Sequence, residues 1–113
     1  MSVSDAFREF ALDQLGRVTP VSARRMFGGV GVYAGGLFFA VMDNNRLYFK
    51  VDDSNRQDFE AAGMGPFRPS GYDGAVMQYY EVPPDVLEDA EALDGWVRKA
   101  VAVARAARAR RKK

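Results

Sequence analysis

The fold is decided by residues 37–51. They read Leu37-Phe38-Phe39-Ala40-Val41-Met42, then Asp43-Asn44-Asn45, then Arg46-Leu47-Tyr48-Phe49-Lys50-Val51. The first run is apolar on both faces, which places it in the interior of a sheet. The second alternates with period two, so Leu47, Phe49 and Val51 face a core while Arg46, Tyr48 and Lys50 face away from it. Asp and Asn tolerate left-handed backbone angles at little cost, so the three residues between the runs predict a hairpin turn. Two antiparallel strands of one half-covered sheet follow.

Working outward, Arg25-Met26-Phe27-Gly28-Gly29-Val30-Gly31-Val32-Tyr33 reads as one long strand bent or bulged at its glycines, and Ala34-Gly35-Gly36 as the turn that follows. Upstream, Ser4 suits an N-cap for a helix over residues 4–15, with Phe7, Phe10, Ala11 and Leu15 at helical spacing and Gly16 closing it. Downstream, a short helix over 53–62 starts at Asp52 or Asp53, buries Phe59 and ends at Gly63. Residues 65–68 form a short strand, a loop carries Pro69, Gly71 and Gly74, and Met77-Gln78-Tyr79-Tyr80-Glu81-Val82 is the last strand. Pro83-Pro84 opens a third helix with acids in its first turns, bases at its end and an apolar stripe of Val86, Ala90, Leu93, Val97, Val101 and Ala104 beside Trp96. That helix is expected to fray after Ala107, leaving 108–113 as a basic, disordered tail to a domain of residues 1–107. The order α-β-β-β-α-β-β-α predicts an α+β two-layer sandwich, with an antiparallel five-stranded sheet and helices on one face.

Composition narrows the chemistry. The chain has 113 residues, enough for a single core, and contains neither cysteine nor histidine. That removes the thiol nucleophile, the thiolate ligand, the commonest general base and the commonest transition-metal ligand. Asp52 and Asp53 sit where a cap is wanted, Asp43 lies in a turn, and Asp85 to Asp94 lie on a helix, so no catalytic or metal-binding set emerges and no cofactor is expected. The N-terminus lacks the pattern of a signal peptide and no apolar run reaches membrane-spanning length, so the expected compartment is the cytoplasm and no membrane partner is expected. Arginine's excess over lysine fits a GC-rich bacterial genome.

Charge is unevenly spread. There are 16 basic and 15 acidic residues in all, but from Arg98 onward eight are basic and none is acidic, which leaves a body near −7. An acidic body with a basic end is an electrostatic signal of a partner.

With the element order in hand, the residues resemble the TfoX (Sxy) N-terminal domain family. The resemblance rests on Arg25-Met26-Phe27-Gly28-Gly29 with Gly31 and Tyr33, on Gly36 to Ala40, on Leu47-Tyr48-Phe49-Lys50, and on Phe59, Gly63 and Pro66-Phe67. It continues through Met77-Gln78-Tyr79-Tyr80 with Pro83 and through Leu93 to Trp96 with the Ala-rich helix after it. It implies a secretion-chaperone-like αβ3αβ2α sandwich and a regulatory role in natural competence, as a co-regulator beside a cyclic-AMP receptor protein at promoters. Full-length competence regulators of this kind have a second, C-terminal domain, so the chain reads as a stand-alone N-terminal domain. The segment Arg68-Pro69-Ser70-Gly71 departs from the family pattern.

Three features invite functional readings. Gly29-x-Gly31-x-x-Ala34 mimics a dinucleotide fingerprint, but that motif needs a helix N-terminus after it, and here a strand follows, so the glycines read as a bulged strand. Arg25, Tyr33, Tyr48, Lys50 and one of Tyr79 or Tyr80 form a candidate interaction surface, open to three readings: structural packing, a protein interface, or a base-stacking face. Arg105, Arg108, Arg110, Arg111, Lys112 and Lys113 are candidate phosphate contacts, against the reading of a solvated helix end matched to its dipole. The leading expectation is a non-enzymatic regulator that contacts a protein partner, with homodimerisation possible and a nucleic-acid-binding co-regulator as the alternative.

Overall fold

The computed structural model describes residues 3–26, 28–69 and 74–111. The expectations for Phe27, Ser70, Gly71, Lys112 and Lys113 lie outside the described residues. The elements are α1 (Asp5–Gly16), β1 (Ser22–Met26), β2 (Gly29–Ala34), β3 (Leu37–Asp43), β4 (Arg46–Lys50), α2 (Arg56–Ala61), β5 (Pro66–Phe67), β6 (Val76–Glu81), α3 (Pro84–Leu87) and α4 (Ala90–Arg111). The strands form one antiparallel sheet in the order β1-β2-β3-β4-β6-β5.

The sheet has six strands rather than the expected five. The long first strand is in fact a hairpin, in which Met26 pairs with Gly29 and Gly28 takes φ +81°. Only glycine adopts that angle without strain, so the chain reverses there instead of bulging. The β3–β4 turn is as read: Asn44 and Asn45 take φ 52° and 57°, and Asp43 pairs with Arg46.

Register explains which side chains are buried. Between β2 and β3 the pairing slips, with Val32 opposite Ala40 and Tyr33 opposite Phe38. That bulge leaves Phe39 unpaired and fully buried. Phe39 packs 5.7 Å from Phe49, Phe49 lies edge-on to Phe59, and Phe59 lies edge-on to Trp96 at 4.8 Å. Ala11 and Leu15 of α1, Phe59 of α2 and Leu93, Val97, Ala100 and Ala104 of α4 share this one core with Met42 and Leu47. Each fully buried ring or branched side chain contributes roughly 1.5–3 kcal/mol.

The helices differ from expectation in detail. Ser4 caps α1 as read, its hydroxyl accepting from the Phe7 amide at 3.1 Å, but Phe10 is 42% exposed. Helix α2 starts only at Arg56, because the Asp52 carboxylate is spent on the Ser54 amide and hydroxyl in a tight turn. It ends as expected, with Gly63 at φ +80° and the Met64 amide reaching the Phe59 carbonyl at 2.9 Å. The single third helix is two. The Asp89 carboxylate accepts from the Glu91 and Ala92 amides, so a new helix is capped where the sequence pattern ran on. Helix α4 then continues past Ala107 to Arg111.

Candidate functional site

On the sheet face away from the core, alternation and pairing bring Arg24 and Met26 of β1, Tyr33 of β2, Phe38 and Val41 of β3, Tyr48 and Lys50 of β4 and Tyr79 of β6 to the same side. A row of rings crosses it. Tyr33 stacks on Phe38 with centroids 5.1 Å apart, and Phe38 lies 5.8 Å from Tyr79. A cation sits at each end: the Arg24 guanidinium 5.7 Å from the Tyr33 centroid, and the Lys50 ammonium 5.2 Å from that of Tyr79.

The expected surface is thus assembled in part. Tyr33, Lys50 and Tyr79 meet along this row. Arg25 does not join them: it pairs with Val30, one step out of phase, and Arg24 takes its place over Tyr33. Tyr48 is on the expected face but only 7% exposed, because Phe67 of the edge strand lies over it at 4.5 Å. Burial, with the Glu81 carboxylate across the β4–β6 pair, holds the Tyr48 hydroxyl above the usual phenol range. Arg24, Phe38 and Asn55 were missed. The reversal at Gly28, which pairs Met26 with Gly29, sets a register that carries Arg24 to Tyr33, whereas Asn55 gives no local sign of its role.

Asn55 fixes the end of β4. It is 2% exposed, its Oδ1 accepts from the Asp52 amide at 2.9 Å and its Nδ2 donates to the Lys50 carbonyl at 3.1 Å. Those two bonds tie down the backbone that carries Lys50.

The basic end of the chain reaches the same corner. Helix α4 lays its last turns beside the β2–β3 turn and the end of β4. Arg108 lies against Gly36, Arg105 and Arg108 line a hollow with Gly35 and Leu37, and Arg110 and Arg111 line another with Lys50. Burial, then the charges of Arg111 and Arg110, lowers the Lys50 pKa. Burial, with Tyr33 adding to it, pushes the Tyr79 hydroxyl up to about 12. The Asp52 carboxyl is held below its usual range, first by the Ser54 hydroxyl.

Among the described residues no group of three or more Asp and Glu side chains is placed to hold a metal ion, and no helix is long and apolar enough to cross a membrane. What the corner offers chemically is charge, hydrogen-bond donors and aromatic surface.

No curated protein matches the chain. A family model does: that of the TfoX N-terminal domain, over residues 13–104 of 113.

Proposed function

The chain belongs to the TfoX N-terminal domain family, and on that footing we propose that it is a non-enzymatic regulatory domain that acts through protein–protein contacts in the cytoplasm. The observation that carries this reading is the sheet face opposite the core, where the half-buried row Tyr33–Phe38–Tyr79 runs and Met77 is 53% exposed beside it. Aromatic, Met and Arg side chains gathered on one face are the composition of a protein interface. The family's association with competence makes a co-regulator of transcription in a bacterium the process class, on the secretion-chaperone-like sandwich the family implies. Pairing of two copies through the same face belongs to this reading, and sedimentation velocity across a concentration series tests it.

The test of the main reading is retention of proteins from nuclease-treated lysate of the source cells on immobilised chain, compared with Met77→Asp/Lys50→Glu. A protein held by the wild type and lost from the variant supports it. The same set retained by both sinks the outer-face assignment.

A second reading, a nucleic-acid-binding co-regulator, is favoured by one observation: Arg108 and Arg111 line a single hollow with Tyr33, Phe38 and Lys50. Phosphate attraction of this kind is steeply salt-dependent. Titrating labelled mixed-sequence DNA and RNA at low and physiological salt separates the readings, since binding that survives salt moves nucleic acid to first place.

A further inference from the structure

Two hollows meet where α4 ends. The larger, about 700 Å³, is lined by Lys50, Ser54, Arg56, Gln78, Arg110 and Arg111 together with Asp52 and Asp53. The smaller, about 240 Å³, is lined by Tyr33, Phe38, Arg108 and again Lys50 and Arg111. Five of the described cations are ion-paired, Arg17 with Asp13, Arg46 with Glu81, Arg56 with Asp53, Arg98 with Asp94 and Lys99 with Asp58, whereas Arg8, Arg24, Arg25, Arg68 and Arg105, which stand outside these two hollows, are not. Among the described residues, Lys50, Arg108, Arg110 and Arg111 have no carboxylate at ion-pair distance. Three arginines gather here around a partly desolvated lysine, in a body that is otherwise acidic. Such a cluster costs free energy by itself and is relieved by an anion from outside.

We propose that this corner receives an acidic segment of a partner protein, with its carboxylates on Lys50 and Arg111 and flanking charge taken up by Arg108 and Arg110. The proposal rests on the protein-contact reading and names the chemistry of the contact. Two observations favour a polypeptide over a nucleic acid. Single-stranded nucleic acid needs open ring faces to stack on, and here the rings face each other and their own cations: Tyr33 lies between Phe38 and Arg24, and Tyr79 between Phe38 and Lys50. Asp52 and Asp53 also form one wall of the larger hollow. A continuous run of phosphates would meet them, whereas a polypeptide can set carboxylates on the arginine forks and turn amide donors to Asp52 and Gln78.

The test uses the full chain, a labelled synthetic peptide of six glutamates spaced by glycines, and a labelled oligothymidylate carrying the same number of charges, each at 150 mM salt. Binding is read by fluorescence anisotropy and by amide chemical shifts. The expected result is tighter binding of the peptide, with shifts confined to residues 50–56, 78 and 107–111. Lys50→Met, Arg111→Gln and Arg108→Gln should each weaken it about fivefold, and Lys99→Gln should leave it unchanged. Amide spectra of the variants establish that each remains folded. Loss of binding equal in Lys99→Gln and Lys50→Met would mean diffuse attraction and overturn the site. No peptide binding, while a lysate protein is still held through Met77, overturns the corner but leaves the protein-contact reading standing. Tighter binding of the oligothymidylate at the corner overturns the acidic-partner assignment in favour of nucleic acid.

Discussion

The Lys50 ammonium stands 5.2 Å from the centroid of the Tyr79 ring, its cross-strand neighbour in the β4–β6 pair. The ring covers the lysine and draws it from water, and the Arg111 and Arg110 charges add repulsion, so its pKa is lowered. Neutralising one of those charges removes part of the repulsion and leaves the burial. Arg111→Gln should therefore raise the Lys50 pKa towards the ordinary lysine value without restoring it fully. NMR titration of the lysine Cε and Nζ resonances reads this directly, and an unmoved Lys50 would place Arg111 away from it.

Tyr79 makes stability depend on pH in the alkaline range. Its hydroxyl is pushed up to about 12 in the folded chain, against about 10 for an unfolded tyrosine. Between those values the folded state keeps a proton that the unfolded state has released, so stability is full below pH 10 and falls as pH climbs from 10 to 12. Tyr79→Phe should flatten that fall. It should not abolish it, since the Tyr48 hydroxyl is shifted in the same direction by its burial. Urea unfolding at a series of alkaline pH values measures the slope, and absorbance at the phenolate band should show one tyrosine fewer among the last to ionise.

Asn55→Ala should destabilise the chain by about 2–3 kcal/mol, because it leaves the Asp52 amide and the Lys50 carbonyl without the partners they have in the fold. The midpoint of urea denaturation checks the magnitude. Amide shifts should move most at residues 50–56, and a change confined to α2 would mean that Asn55 acts only as a helix cap.

How much was legible in the sequence follows from how local each cause is. The Asn44-Asn45 turn, the Ser4 cap and the Gly63 stop are set by neighbouring residues, and all three were read correctly. The reversal at Gly28 is hidden because a glycine pair suits a bent or bulged strand as well as a turn, and that one ambiguity costs a strand and puts Arg25 in the place of Arg24. The face of Tyr48 was legible, but its cover was not, because Phe67 arrives from a two-residue strand paired on the far side of β6. The break at Asp89 hides in a pattern of acids that suits a first turn at either Pro84 or Ala90. Arg108 and Arg111 announced a charge but not a place, which depends on how α4 packs across β3 and β4.

The glycine cluster gives the sharpest test of strand packing against a phosphate cradle. A Cβ on Gly29 would run into the backbone carbonyl oxygen of Met42 on the neighbouring strand, an atom held by the sheet. A Cβ on Gly31 would instead meet the terminal methyl of Met26 at 2.5 Å and the edge of Phe38 at 3.0 Å, and the methionine can swing away. Neither residue needs a left-handed backbone, so the two substitutions differ mainly in what must yield. Gly29→Ala should cost about 3 kcal/mol, the upper range for overpacking, and Gly31→Ala about 1 kcal/mol. Thermal and urea unfolding of the two variants decide the matter. If Gly29→Ala is neutral, close strand approach is not why glycine stands there, and the resemblance of Gly29-x-Gly31 to a nucleotide-binding turn has to be tested with nucleotide itself.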